Sequence, residues 1–274
     1  MDVATEAPNT PRTKIKPGSR AIVTIVRDEA ERLPIWLRYY SRFFAAEDIY
    51  VLDHGTNDGS TDGGGFVRIP VEHDTVEVGW MWERIQEIQR RLLDSYETVL
   101  CTDVDEIVAP DPRKGDLGEY IDRFDRDFVT CTGYELIHIR EYEPPLDLER
   151  PILEQRSHWF PSRIYSKPLL SRIPLHWTPG AHACEEGRRA RHLRRPDPDL
   201  FLIHLHRMDY DLCLRKHRRW SGWQWSEVDL DERRGYQNLI TSPREFDRWF
   251  YGDAHSGGEP MRIERIPAWW RGLF

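Results

Sequence analysis

Three runs of apolar and β-branched residues constrain this chain most: RAIVTIV at 20–26, DIYVLD at 48–53 and ETVLCTD at 97–103. Each lacks the apolar–polar alternation of a half-exposed strand, so each reads as a strand covered on both faces. Between them lie EAERLPIWLRYYSRFF and WERIQEIQRRLLDSY. Leu33, Trp36, Leu37, Tyr40 and Phe44 recur at helical spacing in the first, and Ile85, Ile88 and Leu92 share one side of the second. FVRIPVE, after the glycine-rich HGTNDGSTDGGG loop, reads as a shorter strand. Strand, helix, strand, strand, helix, strand is the alternation of an open α/β sheet, mixed but mainly parallel and flanked by helices.

The second half is less regular. DLGEYIDRF reads as a helix, DFVTCTGYELIHI as a long strand and SRIYSKPLLSRIPLHW as a pair of short strands. GRRARHLRRPDPD is a basic loop, LFLIHLH a strand, and DYDLCLRKHRRW a helix with Asp209 at its N-cap. SPREFDRWF is expected to be a short helix capped by Ser242. The expected organisation is a loose tail over 1–19, a Rossmann-like domain over 20–225 divided near residue 112, and an irregular helical extension over 226–274.

With 47 acidic and 39 basic side chains the net charge is -8, which argues against a nucleic-acid-binding role. Cys101, Cys131, Cys184 and Cys213 are too scattered for a CxxC pair and are expected to be free thiols in a reducing compartment. The N-terminal stretch has no apolar signal segment, so a cytoplasmic location is expected.

Polar groups gather at three strand ends: Arg27, Asp28 and Glu29; Asp53; and Asp103 and Asp105. In parallel sheets ligands bind beyond the carboxyl ends of the strands. If the third run extends through CTDVD, Asp103 and Asp105 fall on one side of it with Val104 turned away. Hard cations such as Mg²⁺ or Mn²⁺ take oxygen ligands and are often held by one or two carboxylates plus substrate phosphates. The glycine-rich loop lacks the GK[ST] of a phosphate-binding P-loop, and no GxSxG elbow occurs. His182, Cys184 and His204 lack the paired spacing of a zinc site.

IVTIVRDEAERLPIWLRYY, DIYVLDHGTNDGSTDG and VLCTDVDEIVAPDP, in that order, resemble the N-terminal half of a GT-A glycosyltransferase. More narrowly, they are similar to family-two-like bacterial enzymes related to galactan synthases. Asp28 and His54 stand where those enzymes usually have Asn, and Ile107 where they have Phe. The resemblance implies a GT-A fold and a Mn²⁺- or Mg²⁺-dependent transferase. Its donor would be a nucleotide-diphosphate sugar, in the first place a UDP-sugar, and its acceptor a glycan or glycolipid hydroxyl, with a role in surface polysaccharide synthesis. It implies that Thr24, Arg27 and Glu29 face the nucleotide, that Asp53 reads the base or ribose, and that Asp103 contacts the ribose or the metal. Asp105 and His204 become metal ligands, with His206 as the alternative histidine, and Lys216 with Arg215 reaches the diphosphate.

An inverting transferase needs a base for the acceptor hydroxyl. HWTPGAHACEEG lies where such enzymes build the acceptor side, which points to Glu185 first and His182 second. The tryptophan-rich segments suit a sugar-stacking wall or ordinary core packing. RIPAWWRGLF has the composition of a segment that touches the inner face of a membrane or docks on its own domain. A metal-dependent phosphohydrolase or nucleotidyltransferase, and a non-catalytic sugar-nucleotide or glycan-binding module, are the alternative readings.

Overall fold

The computed structural model describes residues 18–252 and 261–274. The tail expected over 1–19 therefore lies almost entirely outside the described residues. In chain order the elements are β1 (Arg20–Val26), α1 (Leu33–Tyr40), β2 (Ile49–Asp53), β3 (Val67–Pro70), α2 (Val78–Leu92), β4 (Thr98–Cys101), β5 (Glu106–Pro110), α3 (Leu117–Asp122) and β6 (Phe128–Ile137). They continue with α4 (Ile152–Gln155), β7 (His158–Pro161), β8 (Pro168–Ser171), α5 (Glu185–Arg189), β9 (Asp197–Arg207), α6 (Tyr210–Ser221), α7 (Glu227–Asp231), α8 (Pro243–Gly252) and β10 (Glu264–Arg265). Short 3-10 turns join several of them.

The product is a Rossmann-like α/β fold on one mixed sheet. β3, β2, β1 and β4 are mutually parallel in that order. The chain adds β2 and β3 on one side of β1 and then crosses to add β4 on the other. The carboxyl ends of β1 and β4 thus form a topological switch point, where a crevice opens. Beyond β4 the sheet continues through β8, β6 and β7 by antiparallel pairs, and β5 and β9 extend it from β6.

The continuous apolar runs are buried as their composition demands: Ala21 to Val26, Val51 and Leu52, and Val99 to Cys101 all lie in the core. Helix α1 is shorter than its periodicity implies, but its aromatic residues do more than fill space. The Trp36 indole donates to Thr102 Oγ1 at 2.9 Å, and the Tyr40 hydroxyl accepts from the Val108 amide at 2.8 Å and contacts the Glu106 carbonyl at 3.1 Å. Apolar ring and polar tip together clamp the β4–β5 connection that carries the acidic cluster.

Two details of the sequence reading are corrected. ETVLCTD does not remain a strand through its acids: β4 ends at Cys101, and a turn closed by the Glu106 amide on the Asp103 carbonyl (3.1 Å) carries the chain into β5. Asp103 and Asp105 sit in that turn, so strand alternation does not orient them. The segment 162–177 supplies one strand, β8, while the other short strand, β7, lies earlier at HWFP.

The C-terminal segment is integral to the fold. β10 pairs antiparallel with β7, and Trp270 and Phe274 are buried in the main core. Trp269 stays exposed under the Arg113 guanidinium, 4.1 Å from its ring. Of the two fates open to RIPAWWRGLF, docking on its own domain is the one seen. No helix among the described residues is long and apolar enough to cross a membrane. All four cysteines are buried and free.

Candidate active site at the sheet switch point

A cavity of about 550 Å³ opens at the carboxyl ends of β1 and β4. Its floor is built from charged side chains that arrive from distant parts of the chain. Asp105 is almost fully buried, and its Oδ2 accepts from Lys216 Nζ of α6 at 2.9 Å. The same ammonium lies 3.0 Å from Glu29 at the end of β1, and Arg32, wholly buried, lies 3.5 Å from Glu29 and 4.0 Å from Asp105. Burial alone would raise the Asp105 pKa. Lys216, His204 and Arg32 overcome it and hold the carboxyl far below the usual carboxylate range.

The neighbouring residue behaves oppositely. Glu106 is fully buried, lies 2.7 Å from Lys167 and accepts from the Asp103 amide at 3.0 Å. Burial, with Asp103 adding to it, outweighs Lys167 and pushes its pKa up to about 7. Lys167 also binds Asp103 at 3.0 Å. Two buried lysines, each bridging two carboxylates, thus supply the positive charge that this acidic run needs.

On β9 His204 stands between Glu106 of β5 and Glu135 of β6. Its Nδ1 lies 2.6 Å from Glu135, its Nε2 lies 3.6 Å from Asp105 Oδ1, and its ring stacks on Tyr165 with centroids 3.9 Å apart. Burial disfavours the imidazolium here, but Glu135 and Asp105 more than compensate and its pKa is raised. Tyr165 and Lys167 are brought in by a close approach that only glycine permits: a Cβ on Gly133 would come within 2.3 Å of the Tyr165 backbone.

Asp105, His204 and His206 each offer a donor atom within 4.8 Å of the others. One carboxylate and two imidazoles suit Mn²⁺ or another borderline divalent ion better than Mg²⁺. A carboxylate behind His204 is the outer partner that metal-binding histidines usually have. The donor set therefore fits a divalent cation, with Asp103 outside the compact group. His206, Cys213 and His217 also cluster, further inside. There His217 Nδ1 lies 3.0 Å from the Ile240 carbonyl and its Nε2 lies 2.9 Å from His206 Nε2. A carbonyl can only accept, so His217 donates to it, and His206 must donate to His217. Burial pushes both rings down, His217 to about 3, and both are neutral.

The remaining sequence-derived positions divide. Arg27 and Glu29 line the cavity, Arg27 with its guanidinium 4.8 Å over the Trp223 ring. Thr24 does not: it is buried within β1, with a hydroxyl that finds no partner. Asp53 does not line the cavity either. Its carboxylate accepts from the Thr56 amide (2.8 Å), the Thr61 hydroxyl (2.9 Å) and Arg68 Nε (2.7 Å). Those bonds overcome burial and lower its pKa. It braces its loop, aided by Asp28, which takes a left-handed backbone (φ 54°) and accepts from the Asn57 amide at 2.6 Å. Arg215 is exposed on α6, while Lys216 points inward.

On the opposite wall His182 lines the cavity and Glu185 does not. Glu185 opens α5 and is exposed, because the buried Cys184 before it turns the chain outward. His182 Nδ1 lies 2.9 Å from the Ile164 carbonyl and must donate to it, which leaves the lone pair on Nε2. The ring is open to water on a concave wall yet surrounded by protein. That surrounding and the Lys167 ammonium lower its pKa, so it is neutral at pH 7. A tight turn with Gly180 at φ 77° and Ala181 at φ 54° places it, and a Cβ on Gly180 would meet His182 Nε2 at 2.8 Å.

Sequence reasoning missed Lys167, Tyr165, Glu135, Arg32 and the rim at Arg233 and 235–238, while Trp220 and Trp223 come from one of the tryptophan-rich segments it offered as a sugar-stacking wall. Only Glu135 offered any signal, as a lone carboxylate inside a largely apolar strand-like run. The zinc grouping of His182, Cys184 and His204 does not form a compact set. No protein-family model matches the chain, and no curated protein matches it.

Proposed function

We propose that this cavity binds a nucleoside-diphosphate sugar together with a divalent cation and transfers the sugar to a glycan hydroxyl. The carrying observation is the Glu29–Lys216–Asp105 bridge across the switch point, with His204 and His206 beside it. A diphosphate needs cations and a pre-formed crevice, and the switch point of the parallel β3–β2–β1–β4 half of the sheet supplies one. Lys216 and Lys167 can each turn an ammonium from a carboxylate to a phosphate oxygen without leaving the cavity floor. Asp105, His204 and His206 would hold the cation, which when bound would offset the charge on a departing diphosphate.

The walls fit the organic parts. Trp220, Trp223 and Trp82 line the cavity, an aromatic composition suited to a base and a sugar ring. His182, neutral and with its lone pair on Nε2, is placed to accept the proton of an attacking hydroxyl, so the base role passes from Glu185 to His182. An inverting outcome follows if that hydroxyl attacks from the His182 wall.

The test is product analysis. The protein is incubated with Mn²⁺ and a panel of nucleotide sugars, UDP-sugars first, and the released species are separated. Slow release of a nucleoside diphosphate plus free sugar, abolished by Asp105→Ala, is the expected result. Release of inorganic phosphate would instead favour the phosphohydrolase reading. Binding without any turnover would favour a binding module.

A further inference from the structure

A few residues after His182 in the chain lies a concentration of positive charge without ion-pair partners among the described residues. Over 188–195 the chain reads RRARHLRR, five arginines in eight residues of a protein whose net charge is -8. Arg188, Arg189, Arg191, Arg194 and Arg195 are all exposed. Some arginines elsewhere do find carboxylates, as the half-buried Arg20 finds Asp122 and Arg172 finds Glu97. Of the acids flanking this segment, Glu186 is engaged by His176, Asp197 by Arg126 and Asp199 by Lys114, and only the exposed Glu185 carries no such partner among the described residues. Among the described residues, none of the five guanidinium groups takes part in an ion pair or a side-chain hydrogen bond.

The segment is nonetheless held in place. The Thr130 hydroxyl of β6 donates to the Leu193 carbonyl at 2.9 Å, Leu193 packs on the main core, and the stem of Arg194 covers buried Gly187. Like charges fixed this close repel one another, and one unpaired neighbouring carboxylate, Glu185, accompanies five arginines. Arg188 lies six positions after His182, a reach of at most about 20 Å.

We infer that this arginine platform binds an anionic glycan, a polymer carrying carboxylate or phosphate groups along its length, and leads it to the His182 side of the cavity. The inference rests on the transferase reading for the direction of the chain, though not for the binding itself. Planar guanidinium groups match carboxylate and phosphate in paired hydrogen bonds, and a row of them matches a repeating charge. A polymer is favoured over an anionic bilayer because no large apolar side chain is exposed between 185 and 195 to enter the acyl layer.

The experiment measures binding of the full chain to polygalacturonate, to neutral dextran, and to vesicles of phosphatidylcholine with phosphatidylglycerol, at 50 and 200 mM salt. Wild type is expected to bind polygalacturonate, to lose affinity at the higher salt, and to ignore dextran. The triple variant R188E/R191E/R194E should bind at least tenfold more weakly, with its melting temperature and its response to UDP and Mn²⁺ unchanged. R188K/R191K/R194K, which keeps the charge but not the planar fork, should fall between the two. Equal binding by wild type and the glutamate variant would overturn the inference, and so would binding to vesicles but not to polygalacturonate. If polygalacturonate binds while no nucleotide does, the platform stands and the transferase reading fails.

Discussion

Asp53 ends β2 and Asp105 sits in the turn after β4, the strands on either side of β1; both are buried, both have lowered pKa, and yet they are held in opposite ways. Every partner of Asp53 is local, from the loop that follows it or from the next strand, the furthest being Arg68 of β3, 15 residues on. The partners of Asp105 come from α1, β9 and α6, and Lys216 is 111 residues away. A carboxylate saturated by its sequence neighbours is a brace. One balanced by cations from separate elements can exchange those cations for a ligand. A shifted pKa alone does not separate the two cases; the origin of the partners does.

Removing the shared cation should produce the largest effect. Lys216→Met leaves Asp105 and Glu29 facing each other in a buried site with only Arg32 between them. A loss of about 3–5 kcal/mol in urea denaturation is expected. A negligible change would mean that the bridge contributes nothing to the floor. Asp105→Asn comes next: Mn²⁺-dependent UDP affinity should fall at least about 100-fold, or ~2.7 kcal/mol, by calorimetry. Asp53→Ala inverts the pattern, with about 2–3 kcal/mol lost from stability as its three donors go unpaired, and UDP affinity of the folded protein unchanged. If Asp53→Ala abolished nucleotide binding at full stability, the brace reading would be wrong.

Smaller effects sharpen the same contrast. Gly180→Ala should push the His182 ring aside and slow turnover roughly tenfold while leaving nucleotide affinity intact. The acid side of the stability curve separates the brace by pH. The folded pKa of Asp53 lies below its unfolded value near 3.8, so its contribution is complete above that pH and is lost as pH falls through the folded value. The stability gap between wild type and Asp53→Asn should therefore be widest above about pH 4 and narrow below it.

The parallel half of the sheet was legible because burial on both faces leaves an unmistakable composition in β1, β2 and β4. Asp209 was legible as a cap because capping is local: it accepts from the Leu212 amide three residues on. The acidic turn was misread as strand because its geometry is imposed by Trp36 and Tyr40 of another element. Lys167 was invisible for a related reason. A lysine before a short strand looks like any exposed lysine, and only Gly133, on a different strand, lets its segment approach the cavity. Glu185 and His182 are close in sequence, and no periodicity tells which one a two-residue left-handed turn will aim inward.

Titration calorimetry of UDP into the wild type, with and without Mn²⁺, set beside Asp105→Asn and Asp53→Asn, addresses the central claim most directly. The account predicts Mn²⁺-dependent binding to wild type and to Asp53→Asn, and none to Asp105→Asn. Binding that ignores the metal, or that survives in Asp105→Asn while failing in Asp53→Asn, would contradict it.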